Sequence, residues 1–179
     1  KAEESEINDP NAVAIATSNK HNQPNVRIVL LKGLSDKGFV FYTNFNSKKG
    51  NELKENQKAS MCFHWKSLRR QVRVIGKVEE VSTKEADDYF NSRPYKNRIG
   101  AWASSQSKIL DKRETFLKKI KEFEKKYPDE KKVPRPPHWS GWRVLPTEIE
   151  FWLDVEGRVH ERLNYRNDHG KWTKELLYP

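Results

Sequence analysis

The run Arg158-Val159-His160-Glu161-Arg162 holds the densest set of chemistry-bearing side chains in the chain. Read as a strand, its period of two puts Arg158, His160 and Arg162 on one face. Three potentially cationic groups in a row repel one another unless an anion or nearby acids offset them. The run therefore reads in two ways. It is a site for a phosphate or an anionic ring oxygen, with His160 able to donate or accept a proton near neutral pH. Alternatively it is an exposed edge strand blunted by charge, with Glu156 and Glu161 as partners. A second cluster joins Arg27 and Lys32 to Ser47-Lys48-Lys49 at an expected helix start. Helix N-termini carry unpaired N–H groups and a favourable dipole, so a phosphate fits there, with the hydroxyls of Tyr42 and Thr43 at hand. A solvated lysine pair is the plainer alternative. The amides of Gln71 and Gln106, the latter beside Ser107, can read the edge of a heterocycle or merely satisfy backbone. By residue type alone Trp102 and Trp152 read as core or interface aromatics.

Several common sites are missing from the sequence. It contains no GxGxxG or GxxxxGK[ST] phosphate loop, no GxSxG elbow and no HExxH helix. His21, His64, His138, His160 and His169 stand at no metal-ligand spacing, and Cys62 is the single cysteine, so no metal site and no internal disulfide is expected.

These residues need a scaffold, and the chain is long enough for one. Its 179 residues suit a single domain over 1–179. Charged residues reach 34% against 35% hydrophobic, yet six Trp, six Tyr and eight Phe argue against disorder. No apolar run approaches the roughly 20 residues that cross a bilayer, so no membrane span is expected and the compartment reads as cytoplasmic. The chain begins at Lys1 and its only Met is Met61, so the native N-terminus is expected to precede Lys1. The net charge of +10 first suggests a polyanionic partner. Residues 27–77, however, hold 12 Lys/Arg against three acids, so nearly all the excess lies in one stretch where basic and β-branched residues alternate. That favours a local anion site over a nucleic-acid coat.

Apolar alternation predicts strands over 11–16, 26–32, 39–43, 60–65 and 71–81. In the second, Val26, Ile28 and Leu30 share one face and Arg27, Val29 and Leu31 the other. Asn46 or Ser47 is expected to cap a short helix carrying Leu53. Ser82 to Glu85 has capping-box spacing and opens a helix to about residue 91. Phe116, Ile120, Phe123 and Tyr127 fall at helical spacing within a predicted helix over 109–127. A loop is expected at 131–137. Strands are then expected at 142–145, 148–153, 158–165 and 171–176. Short strands with turns every 8–12 residues plus two or three helices predict a mainly β fold, a barrel with helical additions.

Longer runs carry a resemblance. RIVLLKG at 27–33, FVFYTN at 39–44, SKKGNEL at 47–53 and RQVRVIGKVE at 70–79 are followed by YFNSRP at 89–94 and IGAWASSQS at 99–107. GWRVLPTEIEFW at 141–152 and RVHER at 158–162 complete the series. In order and spacing, over about residues 10–176, the chain resembles the pyridoxamine (pyridoxine) 5′-phosphate oxidase family. The resemblance implies an antiparallel FMN-binding split β-barrel of Greek-key type with peripheral helices, and a homodimer with FMN at its interface. It implies oxidation of pyridoxamine or pyridoxine 5′-phosphate to pyridoxal 5′-phosphate by hydride transfer to FMN, with dioxygen as final acceptor and hydrogen peroxide as product.

By matching positions the resemblance assigns FMN to Arg27, Ile28, Val29, Leu30, Leu31, Lys32, Tyr42, Thr43, Lys48, Lys49, Gln71, Gln106, Ser107, Trp152 and Arg162. It assigns substrate to Lys32, Tyr89, Arg93, Asn97, Arg158 and His160, the last two as catalytic residues over the pyridine ring. Three places depart from the family pattern. Asn97 stands where a small hydroxyl residue is usual, and Lys48-Lys49 where an Arg-Lys pair is commoner. The ending Leu176-Leu177-Tyr178-Pro179 replaces the usual Arg-Leu-Ala-Pro. The rival expectations are another split-barrel flavin reductase, or a non-catalytic basic barrel that binds nucleic acid or pyridoxal phosphate.

Overall fold

The computed structural model describes residues 1–179. The first half runs α1 (Ala2–Ser5), β1 (Ala12–Ser18), β2 (Pro24–Leu30), β3 (Gly33–Ser35), β4 (Gly38–Asn44), α2 (Lys48–Glu55) and β5 (Lys58–Trp65). The second runs β6 (Arg70–Glu80), α3 (Thr83–Ser92), α4 (Tyr95–Ala103), α5 (Arg113–Lys126), β7 (Trp139–Leu153), β8 (Glu161–Asp168) and β9 (Lys171–Leu176). Strands pair in the order β2-β1-β5-β6-β7-β4-β3, with β8 on β7 and β9 on β8. The β1–β2, β1–β5, β3–β4, β5–β6, β7–β8 and β8–β9 ladders are all antiparallel. No helix is long and apolar enough to cross a membrane.

The chain divides into two compact units. The first takes Lys1–Phe41, Glu52–Glu79 and Trp142–Pro179, and the second Tyr42–Asn51 and Glu80–Gly141. In the first, strand alternation points Val13 and Ile15 of β1, Met61 and Phe63 of β5, and Val74 and Val78 of β6 inward, with Phe41, Leu53 and Val144 also buried. Burying each such side chain contributes roughly 1.5–3 kcal/mol, which is what sets the register. β2 lies at the end of the strand order and keeps the predicted two faces: Val26 and Ile28 are exposed while Arg27 and Val29 are half-buried.

The second unit holds α3, α4 and α5 around Phe90, Ile99, Val133 and Trp139, against which Ile120, Phe123 and Tyr127 pack. Ser82 caps α3 by accepting the Glu85 N–H at 3.2 Å, as its spacing predicts. Ser47, not Asn46, caps α2, accepting the Gly50 N–H at 3.2 Å.

Several elements differ from expectation. The helix predicted from 109 starts at Arg113, because Ile109 and Leu110 face solvent and gain no burial from extending it. α4 is a nine-residue helix with no clear apolar period, since Arg98 is buried in it alongside Ile99 and Ala103. The two strands predicted around Pro146 are one, β7. Pro146 offers no N–H, but the Thr147 hydroxyl donates to the Ile75 carbonyl of β6 at 3.2 Å. A Cβ on Gly76 of β6 would lie 2.0 Å from the Leu145 carbonyl oxygen, so glycine permits that close approach. A further difference, at residue 158, concerns the site.

Candidate active site

In the second unit, β4 delivers Thr43 and the start of α2 delivers Lys49. The Lys49 ammonium donates to Thr43 Oγ1 at 2.9 Å, to Gln106 Oε1 at 3.0 Å and, at 3.5 Å, to Ser47 Oγ. Lys49 is only 9% exposed, whereas Lys48 is exposed. Asn44 Nδ2 donates to the Ser104 carbonyl at 3.1 Å and ties the segment carrying Gln106 to the end of β4. Ser107 follows in the left-handed region at φ 68°. A buried ammonium that bonds hydroxyl and amide oxygens at a helix N-terminus is chemistry suited to a phosphate.

The same unit stacks Tyr42 on Tyr89 at 4.0 Å between ring centroids and on Trp139 at 5.4 Å. The Arg93 guanidinium lies over Trp139 at 4.7 Å. Its Nη1 is buried without a hydrogen-bond partner. Burial, with some repulsion from Arg98, holds the Arg93 pKa below its ordinary value, while burial pushes the Tyr89 hydroxyl up. A buried guanidinium N–H left unmatched fits a phosphate oxygen, and burying it with none is costly. Asn97 lies exposed in the first turn of α4.

In the first unit the expected single face of Arg158, His160 and Arg162 does not form. Residues Glu156–Arg158 make a one-turn 3-10 helix, with Gly157 at φ 72° and Arg158 at φ 62°, and β8 begins only at Glu161. Two consecutive left-handed residues break the strand alternation on which that face depended. The residues meet by another route. Gln71, Trp152, His160 and Arg162 line a cavity of about 690 Å³. Arg158 and His160 line a more open one of about 420 Å³ with Trp152, Asp154 and Arg69. Trp152 and His160 belong to both, their ring centroids 4.7 Å apart. Leu31 and Lys32 lie past the end of β2, where the Lys32 N–H donates to the Val40 carbonyl at 2.8 Å.

Both arginines assigned to FMN in this unit are held by buried glutamates that the sequence did not single out. Arg27 reaches Glu52 Oε2 at 3.0 Å and Thr17 Oγ1 at 2.5 Å. Arg162 grips Glu150 with two bonds, Nε to Oε1 at 2.8 Å and Nη2 to Oε2 at 3.0 Å, and Arg73 pairs with the same carboxylate. Arg162 Nη1 also donates to the Tyr178 carbonyl at 2.9 Å, so backbone of the atypical C-terminus supplies a contact. In EIEFW alternation sets Glu150 with Glu148 and Trp152, opposite Ile149 and Phe151, so its burial was not legible in the run. Gln71 is oriented by Cys62, whose thiol donates to Oε1 at 3.0 Å.

The Arg162 hydrogen bond, with Arg73 adding to it, holds the Glu150 carboxyl below its usual range. For Glu52, burial would raise the pKa, but the bonds from Thr17, Asn25 and Arg27 outweigh it and leave it lowered. A lowered folded-state pKa means that this stabilisation is present in full above the ordinary 4.5 and is lost as pH falls through the folded values. Replacing Glu150 with Gln is expected to cost on the order of 3 kcal/mol at neutral pH, the low end for breaking a buried pair because Arg73 stays half exposed. It should also flatten the acid limb of a stability-against-pH curve from urea unfolding. A Gln variant that loses stability toward acid as steeply as wild type would overturn this account.

The fold is similar to that of PhzG from Burkholderia lata 383, solved in complex with tetrahydrophenazine-1-carboxylic acid. The TM-score is 0.90 at 30% identity, covering 96% of this chain and 84% of that one. It is also similar in fold to a pyridoxamine 5′-phosphate oxidase-related, FMN binding protein from Nostoc punctiforme, at TM-score 0.75 and 18% identity over 94% of this chain and 88% of that one. The fold class is the split β-barrel. Residues 1–127 match the family described as pyridoxamine 5′-phosphate oxidase, and residues 139–179 match the pyridoxine 5′-phosphate oxidase C-terminal dimerisation region. The chain therefore belongs to the pyridoxamine 5′-phosphate oxidase family, and its dimerisation region supports a homodimer. It is 59% identical over 180 residues to the pyridoxine/pyridoxamine 5′-phosphate oxidase of Pelagibacter ubique, covering 100% of this chain and 86% of that protein. To the protein of the same name from Rhizobium etli it is 56% identical over 181 residues, covering 100% and 87%.

Proposed function

We propose that the chain oxidises pyridoxamine 5′-phosphate and pyridoxine 5′-phosphate to pyridoxal 5′-phosphate with bound FMN, as a homodimer carrying FMN at its interface. The observation that carries this reading is a pair of separate phosphate-ready cations in a chain of this family, the buried Lys49 and the Arg93 guanidinium with an unmatched N–H. Two such sites suit a reaction in which cofactor and substrate are both phosphorylated. Lys48, Lys49, Thr43, Gln106 and Ser107 are assigned to the FMN phosphate, and Arg27 to Lys32, Tyr42, Gln71, Trp152 and Arg162 to the rest of the flavin. Tyr89, Arg93, Lys32 and Asn97 are assigned to the substrate phosphate. FMN, when bound, supplies the hydride acceptor that dioxygen regenerates with release of hydrogen peroxide. The chain's own residues orient and polarise: Arg158 and His160 hold the pyridine ring and offset charge that develops on it. The two units are read together as one FMN-binding domain over 1–179, acting in the cytoplasm.

A visible absorbance spectrum tests the reading. Purified protein is expected to show flavin bands that bleach when pyridoxamine 5′-phosphate is added without oxygen and return on admitting air. A colourless protein that takes up no FMN would overturn it. Bleaching by a tetrahydrophenazine carboxylic acid, but by neither B6 phosphate, would move the substrate toward that of the Burkholderia relative.

A further inference from the structure

Asp154 lies outside every motif that carries the family resemblance, yet its carboxylate is held from both sides. Oδ2 takes Arg69 Nε at 2.8 Å and Nη2 at 2.7 Å, and Oδ1 lies 3.0 Å from His160 Nδ1. The backbone locks the same pair, because the Asp154 N–H donates to the Arg69 carbonyl at 3.0 Å. Arg69 sits at φ 52° in the turn between β5 and β6, with its own N–H on the Lys66 carbonyl at 3.1 Å. The β5–β6 turn thus reaches the end of β7 through one residue that uses both backbone and side chain.

His160 Nδ1 lies between this carboxylate and a donor, the Val155 N–H at 3.2 Å. A bare Nδ1 points its single in-plane lone pair at the Val155 N–H and leaves the Asp154 carboxylate 3.0 Å away with no proton from the ring. A protonated Nδ1 gives up the Val155 bond and donates to Asp154 instead, a charge-assisted bond that is the stronger of the two. With Nδ1 committed to residues 154–155 and the ring tilted against Trp152, Nε2 is the imidazole atom left for a ligand.

We infer that Asp154, steadied by Arg69, is a positioning residue that keeps a proton on Nδ1 of His160 and so presents Nε2 to the substrate. The inference rests on the proposed role of His160 at the substrate ring. Arg69 makes it sharply testable. In Asp154→Asn the guanidinium claims the amide oxygen, which turns the NH₂ toward Nδ1 and forces the proton onto Nε2. Shape is kept while the tautomer is reversed.

The test uses the FMN-loaded enzyme and two readouts. The ¹⁵N shifts of the His160 ring, assigned by comparison with His160→Gln, are expected to show a protonated Nδ1 in wild type. In Asp154→Asn and Asp154→Ala they are expected to show an unprotonated one. With pyridoxamine 5′-phosphate, kcat is expected to fall about tenfold or more in both variants with little change in KM or flavin content. In a His160→Ala background, Asp154→Ala should add nothing. Unchanged His160 shifts, or an Asn variant with wild-type turnover, would overturn the inference. Parallel assay of His160→Ala locates the fault. If that variant is slow while Asp154→Asn is not, the inference alone fails; if it turns over normally, the assignment of His160 fails with it.

Discussion

Replacing Lys49 with Ala is expected to leave a folded protein that loses its FMN on dialysis while wild type stays yellow. The Lys49 ammonium is the charged member of the cluster with Thr43, Ser47 and Gln106. A hydrogen bond from a charged group is worth about 1.5–3 kcal/mol, or roughly a tenfold to hundredfold weakening when it is lost. Water screens an exposed cation far more than a buried one, so Lys48→Ala should weaken retention much less than Lys49→Ala, and the double variant only a little more. Flavin absorbance per protein after dialysis, read beside a thermal melt by circular dichroism, separates loss of cofactor from loss of fold. Full colour in the dialysed Lys48/Lys49 double variant would remove the phosphate assignment.

Removing the Arg158 side chain as Ala is expected to lower kcat/KM for pyridoxamine 5′-phosphate at least about tenfold, a loss of roughly 1.4 kcal/mol. The backbone at this residue makes the result easy to interpret. Arg158 is exposed and sits at φ 62°, a conformation that is costly for any residue with a Cβ. Alanine keeps that cost, so the melt should barely move while activity falls. Glycine relieves it, so Arg158→Gly should raise stability by up to about 1 kcal/mol while turnover falls as in the Ala variant. Opposite movements of stability and activity at one position are what a strained residue kept for binding predicts. Near-normal kcat and KM in Arg158→Ala would sink its assigned role.

The elements that sequence reasoning read correctly share a physical feature, a strong local period backed by burial. β1, β5 and β6 alternate because every second side chain enters the core, and Ser82 caps α3 through a bond spanning three residues. The failures fall where local and non-local forces compete. β7 runs through Pro146 because its own Thr147 hydroxyl bonds across to the Ile75 carbonyl of β6 and Gly76 of β6 leaves room for its backbone. Neither compensation is visible in the run around the proline. α5 begins later than its apolar pattern suggests because Ile109 and Leu110, core-like in type, face solvent. The 158–162 run alternates in type, but a left-handed pair at 157–158 leaves the ladder and strand geometry begins three residues later. Nothing in residue type requires Arg158 to adopt that conformation.

By itself the sequence determined the chemistry on offer: cations concentrated in 27–77 and 158–162, amides at Gln71 and Gln106, and the motif runs that imply a flavin-binding barrel. These are matters of side-chain type and short spacing, which survive without coordinates. Only the tertiary structure decided how the cations are distributed and restrained. It buried Lys49 and left Lys48 in solvent, set Glu52 and Glu150 behind Arg27 and Arg162, and placed Asp154 between Arg69 and His160. Arg69 and His160 stand 91 positions apart in the chain. Contacts of that kind depend on which strands become neighbours. That is decided by burial summed over the whole sheet, so no local window of residues records it.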